Sequence, residues 1–156
     1  MKKLIIYYSY GGNTKKIAQI LQKETGYDIA EIKTITPYSD DYDLVVEQGK
    51  KEVDKGFLPK IQPLDKSLDD YDTVIIGSPV WWYTFAPAVN TFLKNNDLSN
   101  KTVSLFATNG GWVGNTFENF EKECAGANIK KGINIRFDKN ILITPEKNIK
   151  VWVKEI

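Results

Sequence analysis

Three segments of the chain are nearly unbroken runs of apolar, aromatic and β-branched residues, at positions 4–8, 73–77 and 102–107. Such runs are typical of parallel strands that helices cover on both faces. Residues 27–32 show a weaker, alternating pattern directly after Gly26, a residue type that favours the end of a helix. We therefore predict parallel strands at all four segments.

Amphipathic segments with helical spacing follow these strands. In one of them, Asn115 and Glu118 resemble a capping box at a helix start. Two segments compete for a fifth strand: residues 129–137, which Gly132 interrupts, and residues 141–143. The alternation of strands and helices predicts a single α/β domain over residues 1–156, a doubly wound five-stranded parallel sheet with helices on both faces.

Residues 36–70 form an unusually long connection between two predicted strands. Helical spacing covers residues 41–55, and an irregular stretch that contains Pro59 and Pro63 follows. A long connection inside a compact domain is usually functional, so we expect this region to have a functional role.

Length and charge narrow the range of functions. The chain has 156 residues and a formal net charge of +1, with dispersed lysines and one arginine. This charge pattern disfavours a nucleic-acid partner. No apolar run approaches membrane-spanning length, and the run after Lys3 is too short for a secretory signal. We therefore expect a cytoplasmic protein that binds no membrane.

The side chains available for catalysis also limit the chemistry that the chain can perform. The chain contains no histidine and one cysteine, Cys124. Histidine is the usual general base near neutral pH and a common metal ligand, so a hydrolase triad or a metal site is not expected. Any redox chemistry would therefore depend on a bound cofactor.

The loop after the first predicted strand has the features of a phosphate site. Residues 9–14 read Ser-Tyr-Gly-Gly-Asn-Thr and lead directly into a helical pattern. Glycines allow the backbone to approach an anion, and the N–H groups at a helix start point toward it. The hydroxyl groups of Ser9 and Thr14 are further candidate donors, which makes this loop a candidate phosphate cradle.

Two further loops follow the third and fourth predicted strands. Residues 78–84 and 108–114 contain three of the four tryptophans and no charged residue. In an open α/β sheet, ligands bind beyond the carboxyl ends of the strands, where these loops would meet. Aromatic side chains can stack on a flat ligand, so the three loops together predict a site for an aromatic molecule with a phosphate tail.

On these motifs the chain resembles the flavodoxin family. The 9–14 loop is similar to the FMN phosphate loop, and residues 77–83, with their Pro-Val-Trp-Trp pattern, and residues 108–112 are similar to the two flavin loops. The resemblance implies a sheet with strand order 2-1-3-4-5 and FMN as cofactor. It implies a phosphate site at Ser9, Gly11, Gly12, Asn13 and Thr14, and a flavin site at Pro79, Val80, Trp81, Trp82, Tyr83, Asn109, Gly110, Gly111, Trp112 and Gly114.

Three functions follow as hypotheses. The favoured one is an electron carrier that shuttles electrons between redox partner proteins. The alternative is an FMN-dependent NAD(P)H:quinone or nitro-compound oxidoreductase, for which residues 36–70 would help to form a substrate pocket. The third is a site for a nucleotide or sugar phosphate without redox chemistry. Of the adjacent Trp81 and Trp82, one is expected in the core and the other at the ligand.

The chain departs from well-known flavodoxins in two respects. Tyr10 and Gly11 stand where those proteins carry hydroxyl residues, and the net charge is near neutral where many electron carriers are acidic. Negative charges near a flavin oppose its reduction to an anion. With Asp40, Asp41, Asp43 and Glu118 as the nearest candidate charges, we expect a second reduction step that is less negative than in acidic flavodoxins.

Overall fold

The computed structural model describes residues 2–156, which form five α-helices and eight strands. The strands are β1 (Lys3–Tyr7), β2 (Asp28–Glu31), β3 (Thr73–Trp81), β4 (Thr84–Phe85), β5 (Thr102–Asn109), β6 (Asn128–Ile129), β7 (Ile133–Asp138) and β8 (Ile141–Leu142). The helices are α1 (Asn13–Thr25), α2 (Tyr42–Lys55), α3 (Pro87–Asn95), α4 (Thr116–Glu123) and α5 (Glu146–Lys154), with a short 3-10 helix at Leu68–Asp70. Over residues 2–156, no helix has both the length and the apolar character needed to cross a bilayer.

The fold is α/β with a mostly parallel sheet, but the prediction of five strands in the order 2-1-3-4-5 is wrong. The sheet has eight strands in the order β2-β1-β3-β5-β7-β8, with β4 paired to β3 and β6 paired to β5. The additional strands are three two-residue segments, and β4 and β8 run antiparallel to their neighbours. Tight turns explain both reversals, because Trp82 and Tyr83 precede β4 with positive φ, and Lys139 precedes β8 with φ 54°.

Both segments that competed for the fifth strand take part in the sheet. Residues 129–137 are divided between β6 and β7, which pair with different parts of β5. The division lies beside Gly132, where an added Cβ would meet the carbonyl oxygen of Leu105 at 2.5 Å. This close backbone approach explains why a residue without a side chain interrupts the pattern.

Alternate residues of the central strands face two separate apolar cores. In β1, Leu4 and Ile6 pack with α3 and α4 residues such as Phe92 and Phe120. Ile5 belongs instead to the core formed with α1 and α5. Burial on both faces accounts for the unbroken apolar runs that predicted these strands.

Two helix starts differ in how they are capped. Asp41 caps α2, since its side chain accepts hydrogen bonds from the N–H groups of Asp43 and Leu44. The capping box predicted at Asn115 does not form, because the Asn115 side chain makes no capping bond and its N–H donates to the carbonyl of Tyr83. The start of α4 is therefore fixed to the turn after β3.

Candidate functional site

The three predicted loops follow β1, β3 and β5, which are neighbours in the sheet. Tyr7 pairs in register with Gly77, and Gly77 pairs with Phe106. Because the strands are parallel, their carboxyl ends meet at one edge, and the loops lie side by side there. The sheet therefore brings together segments that are about 100 residues apart in the chain.

A cleft of about 590 Å³ opens between the first and third loops. Six of the predicted residues line it: Gly11, Asn13, Thr14, Pro79, Asn109 and Gly110. An adjoining hollow of about 300 Å³ lies under α2 and is lined by Pro79, Val80, Trp81 and Trp82 of the predicted set. Tyr10 and Tyr42 border both parts, so the two spaces form one continuous site.

The first loop presents backbone rather than side chains. Gly11 and Gly12 have φ angles of 79° and 98°, and a Cβ on either residue would meet nothing within 4 Å. Lys16 donates the first backbone hydrogen bond of α1 to the carbonyl of Gly12, at 3.0 Å. The N–H groups of Asn13 and Thr14 precede that bond, so they remain available to an anion at the helix start.

The hydroxyl groups predicted to hold phosphate have partners within the protein. Ser9 Oγ accepts a hydrogen bond from the N–H of Lys15 at 3.1 Å, which closes the loop on itself. Thr14 is 1% exposed, and its Oγ1 lies 2.7 Å from Oγ1 of Thr108. The two threonines place a hydroxyl pair at the floor of the cleft, and a ligand oxygen there would compete with or extend that bond.

Sequence reasoning missed the hairpin that closes the cleft. Phe137, Lys139 and Asn140 line the cleft from the β7–β8 turn, and the side-chain amide of Asn13 donates to the carbonyl of Lys139 at 2.7 Å. Lys139 is the one charged residue among those lining the cleft within residues 2–156. No local pattern identifies it, because it lies 126 residues after Asn13.

The second loop contributes two tryptophans in different environments. Trp81 is half-buried and packs edge-on against Tyr8, Tyr10 and Tyr38 at centroid distances of 5.9, 6.1 and 5.1 Å. We call these four residues the aromatic wall. Trp82 is 37% exposed, and its Nε1 donates to the carbonyl of Val46 on α2. Both tryptophans line the hollow under α2.

The third loop is shaped by backbone and amide contacts. Asn109 accepts a hydrogen bond from the N–H of Gly111 at 2.9 Å and donates to the side chain of Asn134 at 2.6 Å. Gly114 packs against Tyr83, whose Cα would lie 2.7 Å from an added Cβ. Trp112 is 75% exposed. The predicted residues that do not line either part of the cleft are Ser9, Gly12, Tyr83, Gly111, Trp112 and Gly114.

The tyrosines of the aromatic wall are neutral at neutral pH, because the ordinary tyrosine pKa is about 10 and their surroundings raise the pKa further. Burial, followed by the nearby charge of Glu52, raises the pKa of Tyr8. Burial and a hydrogen bond to Glu52 raise the pKa of Tyr38. The aromatic wall therefore carries no phenolate charge at neutral pH. The arrangement can hold an anion at the first loop and a flat, uncharged ring along the wall.

Comparison with known proteins agrees with this geometry. Residues 2–156 match the family model described as Flavodoxin. A crystal structure of a candidate flavoprotein from Bacteroides eggerthii DSM 20697 is 31% identical, with a TM-score of 0.84 over 99% of this chain and 97% of that one. A flavoprotein from Lactobacillus acidophilus NCFM, crystallised in complex with FMN, is 28% identical, with a TM-score of 0.76 over 85% of this chain and 92% of that one.

A more distant structure shares the fold alone. Two-electron reduced flavodoxin from Megasphaera elsdenii is 18% identical, with a TM-score of 0.59 over 99% of both chains. A search of curated proteins finds no match. Because the family model extends over residues 2–156, the chain belongs to the flavodoxin family.

Proposed function

We propose that the protein binds FMN in this cleft and transfers electrons between other redox proteins. The observation that carries the proposal is that a glycine-rich helix start adjoins an aromatic cleft, in which Lys139 is the one charged lining residue among residues 2–156. A relative that is 28% identical was crystallised with FMN, which supports the same cofactor here.

The residues present fit a phosphate group at the first loop. The positive φ angles and open space at Gly11 and Gly12 leave the backbone accessible, and Asn13 and Thr14 offer N–H donors. Lys139, whose carbonyl accepts a hydrogen bond from the Asn13 side chain, adds a positive charge to the lining of the cleft. A phosphate would complete the coordination of donors that have no partner within the helix.

The residues of the second and third loops fit a flat ring. Pro79 and the two tryptophans would form one wall, and Asn109 and Gly110 would face the ring's polar edge. Bound FMN would supply reversible electron transfer, while the protein binds it, orients it and excludes water from one face. The hydrogen bond from Trp82 to Val46 would hold α2 close to that wall.

The first experiment is an absorbance spectrum of purified protein, followed by titration of apoprotein with FMN and FAD. We expect flavin absorbance and saturable FMN binding, with FAD binding far more weakly, because the one glycine-rich helix start that lines the cleft within residues 2–156 suits a single terminal phosphate. An apoprotein that binds neither flavin, or prefers FAD, would contradict the proposal and favour a nucleotide or sugar phosphate as ligand.

The hollow under α2 supports a second candidate function. Val45, Val46 and Gly49 line this space of about 300 Å³ together with the tryptophans, which suits a flat organic substrate. The protein would then be an FMN-dependent NAD(P)H:quinone or nitro-compound oxidoreductase. Holoprotein supplied with NAD(P)H and a quinone distinguishes the two functions, since steady NAD(P)H oxidation without a separate reductase indicates the enzyme.

A further inference from the structure

A buried acidic residue lies behind the aromatic wall. The buried residues of α2 are Val45, Gly49 and Glu52, which share one face of the helix. A Cβ built on Gly49 would lie 3.2 Å from Cε3 of Trp81, so this face packs directly on the indole ring. Glu52 follows one turn later on the same face, with 7% of its surface exposed.

The Glu52 carboxylate is hydrogen-bonded by uncharged donors. The hydroxyl of Tyr38 donates to Oε1 at 2.5 Å, and the amide of Gln48 donates to Oε2 at 2.7 Å. Among residues 2–156 no ion pair includes Glu52. Lys122 lines the same surface pocket as Glu52 but forms no ion pair with it. A buried charge without a cationic partner is weakly screened, so its field extends to neighbouring groups.

Tyr38 links this carboxylate to Trp81. Its ring packs on the indole at a centroid distance of 5.1 Å and an interplanar angle of 77°, the shortest ring contact in the aromatic wall. Because the hydroxyl of the same side chain is fixed by Glu52, rotation of Tyr38 away from Trp81 would break a hydrogen bond to a charged group. The position of Trp81 is therefore coupled to Glu52.

We propose that Glu52 is a positioning residue of the flavin site, which fixes Trp81 through Tyr38 and whose buried negative charge opposes reduction of the bound flavin. This inference rests on the proposed binding of FMN. The acidic residues considered from the sequence, Asp40, Asp41, Asp43 and Glu118, are all exposed, so solvent screens them more strongly than Glu52.

A matched pair of variants on α2 distinguishes the effect of the buried charge from the effect of a change in net charge. Glu52→Gln and Glu47→Gln make the same chemical change, but Glu47 is exposed. The measured quantity is the ratio of the dissociation constants for oxidised and fully reduced FMN, obtained by anaerobic titration. We expect Glu52→Gln to strengthen the binding of reduced FMN about tenfold relative to oxidised FMN. Removal of a unit charge at a distance on the order of 10 Å, with an effective dielectric constant near 20, gives an effect of this size. Glu47→Gln should change the ratio less than about twofold.

The positioning role is tested in apoprotein labelled with 5-fluorotryptophan. The ¹⁹F resonance of Trp81, assigned with Trp81→Phe, should shift in both Glu52→Gln and Tyr38→Phe and stay unchanged in Glu47→Gln. Tyr38→Phe keeps the charge, so it also tests the coupling if Glu52→Gln fails to fold. Equal ratios for the two glutamate variants, or an unmoved Trp81 resonance, would overturn the inference. A wild-type protein that does not bind FMN would instead contradict the proposed function itself.

Discussion

The first loop and the aromatic wall lie on the same cleft but are built in opposite ways. The loop is a continuous segment, residues 9–14, whose function depends on backbone N–H groups and two glycines with positive φ. The wall gathers side chains from the residue that follows β1, the first loop, the segment before α2 and the end of β3. The loop therefore depends on local backbone conformation, and the wall depends on tertiary packing.

This difference predicts different responses to mutation. A change in the loop should weaken binding of the phosphate with little effect on the fold, because the glycines lie in open space. A change in the wall should lower the free energy of unfolding, because the Tyr38 hydroxyl and the Glu52 carboxylate form a hydrogen bond in a mostly buried position.

The largest expected effect is that of Gly12→Val on FMN affinity. A β-branched residue at a φ of 98° is strained, and relief of that strain would move the N–H groups at the start of α1. We expect a loss of about 2–3 kcal/mol in binding, measured by fluorescence titration with FMN. Gly26→Val is the matched control, since Gly26 has a φ of 75° in similarly open space at the other end of α1. Equal FMN affinity in the two variants would show that the first loop does not contribute to FMN binding.

Tyr38→Phe should lower the free energy of unfolding by about 2 kcal/mol, because it leaves the buried Glu52 carboxylate with one hydrogen bond fewer. Urea denaturation of the apoprotein measures this change. Tyr42→Phe serves as the control, since Tyr42 is 70% exposed. If both variants were as stable as the wild type, the wall would not depend on the Tyr38–Glu52 contact.

Thr14→Ala should weaken FMN binding by about 1.5 kcal/mol, through loss of one hydroxyl donor to a charged group. The same change leaves the buried hydroxyl of Thr108 without its 2.7 Å partner, so a smaller loss of stability should accompany it. Thr14→Ser keeps the hydroxyl and should restore most of the affinity. A Thr14→Ala variant with unchanged FMN affinity would show that this hydroxyl serves only Thr108.

The smallest effect concerns alkaline pH. Burial and the hydrogen bond to Glu52 raise the pKa of Tyr38 in the folded protein above its ordinary value of about 10. The resulting stabilisation is complete below about pH 10 and is lost as the pH rises further, because the unfolded chain ionises first. Between about pH 9.5 and 11, the wild type should lose about 1 kcal/mol more stability than Tyr38→Phe. Urea denaturation at these pH values measures the change. If the free energy of unfolding fell equally with pH in the wild type and in Tyr38→Phe, the raised pKa of Tyr38 would be contradicted.

Local patterns predicted most of the elements but not the composition of the sheet. The apolar runs located β1, β3 and β5, and helical spacing over residues 41–55 located α2 within one residue. The short strands β4, β6 and β8 arise from tight turns and from pairing with distant strands, which a single sequence does not encode in a visible period. The strand count was therefore wrong although the α/β class was correct.

For the site, the sequence located the loops but not all of their neighbours. Thr108 lies at the floor of the cleft and directly precedes the predicted Asn109. Its position in the sequence alone was enough to include it among the predicted site residues. Lys139 and Glu52 are different, because nothing near them in the chain distinguishes them from the many charged residues that lie on the surface. Their roles depend on the β7–β8 hairpin and on the buried face of α2, which only the tertiary structure reveals.

The most direct test of the account is a comparison of FMN with riboflavin, its counterpart without the phosphate, in titrations of the wild-type apoprotein. If the first loop binds phosphate through the start of α1, FMN should bind at least about 100-fold more tightly than riboflavin, from two or more hydrogen bonds to a charged group. Equal affinities for FMN and riboflavin would contradict the central claim that this loop anchors the cofactor.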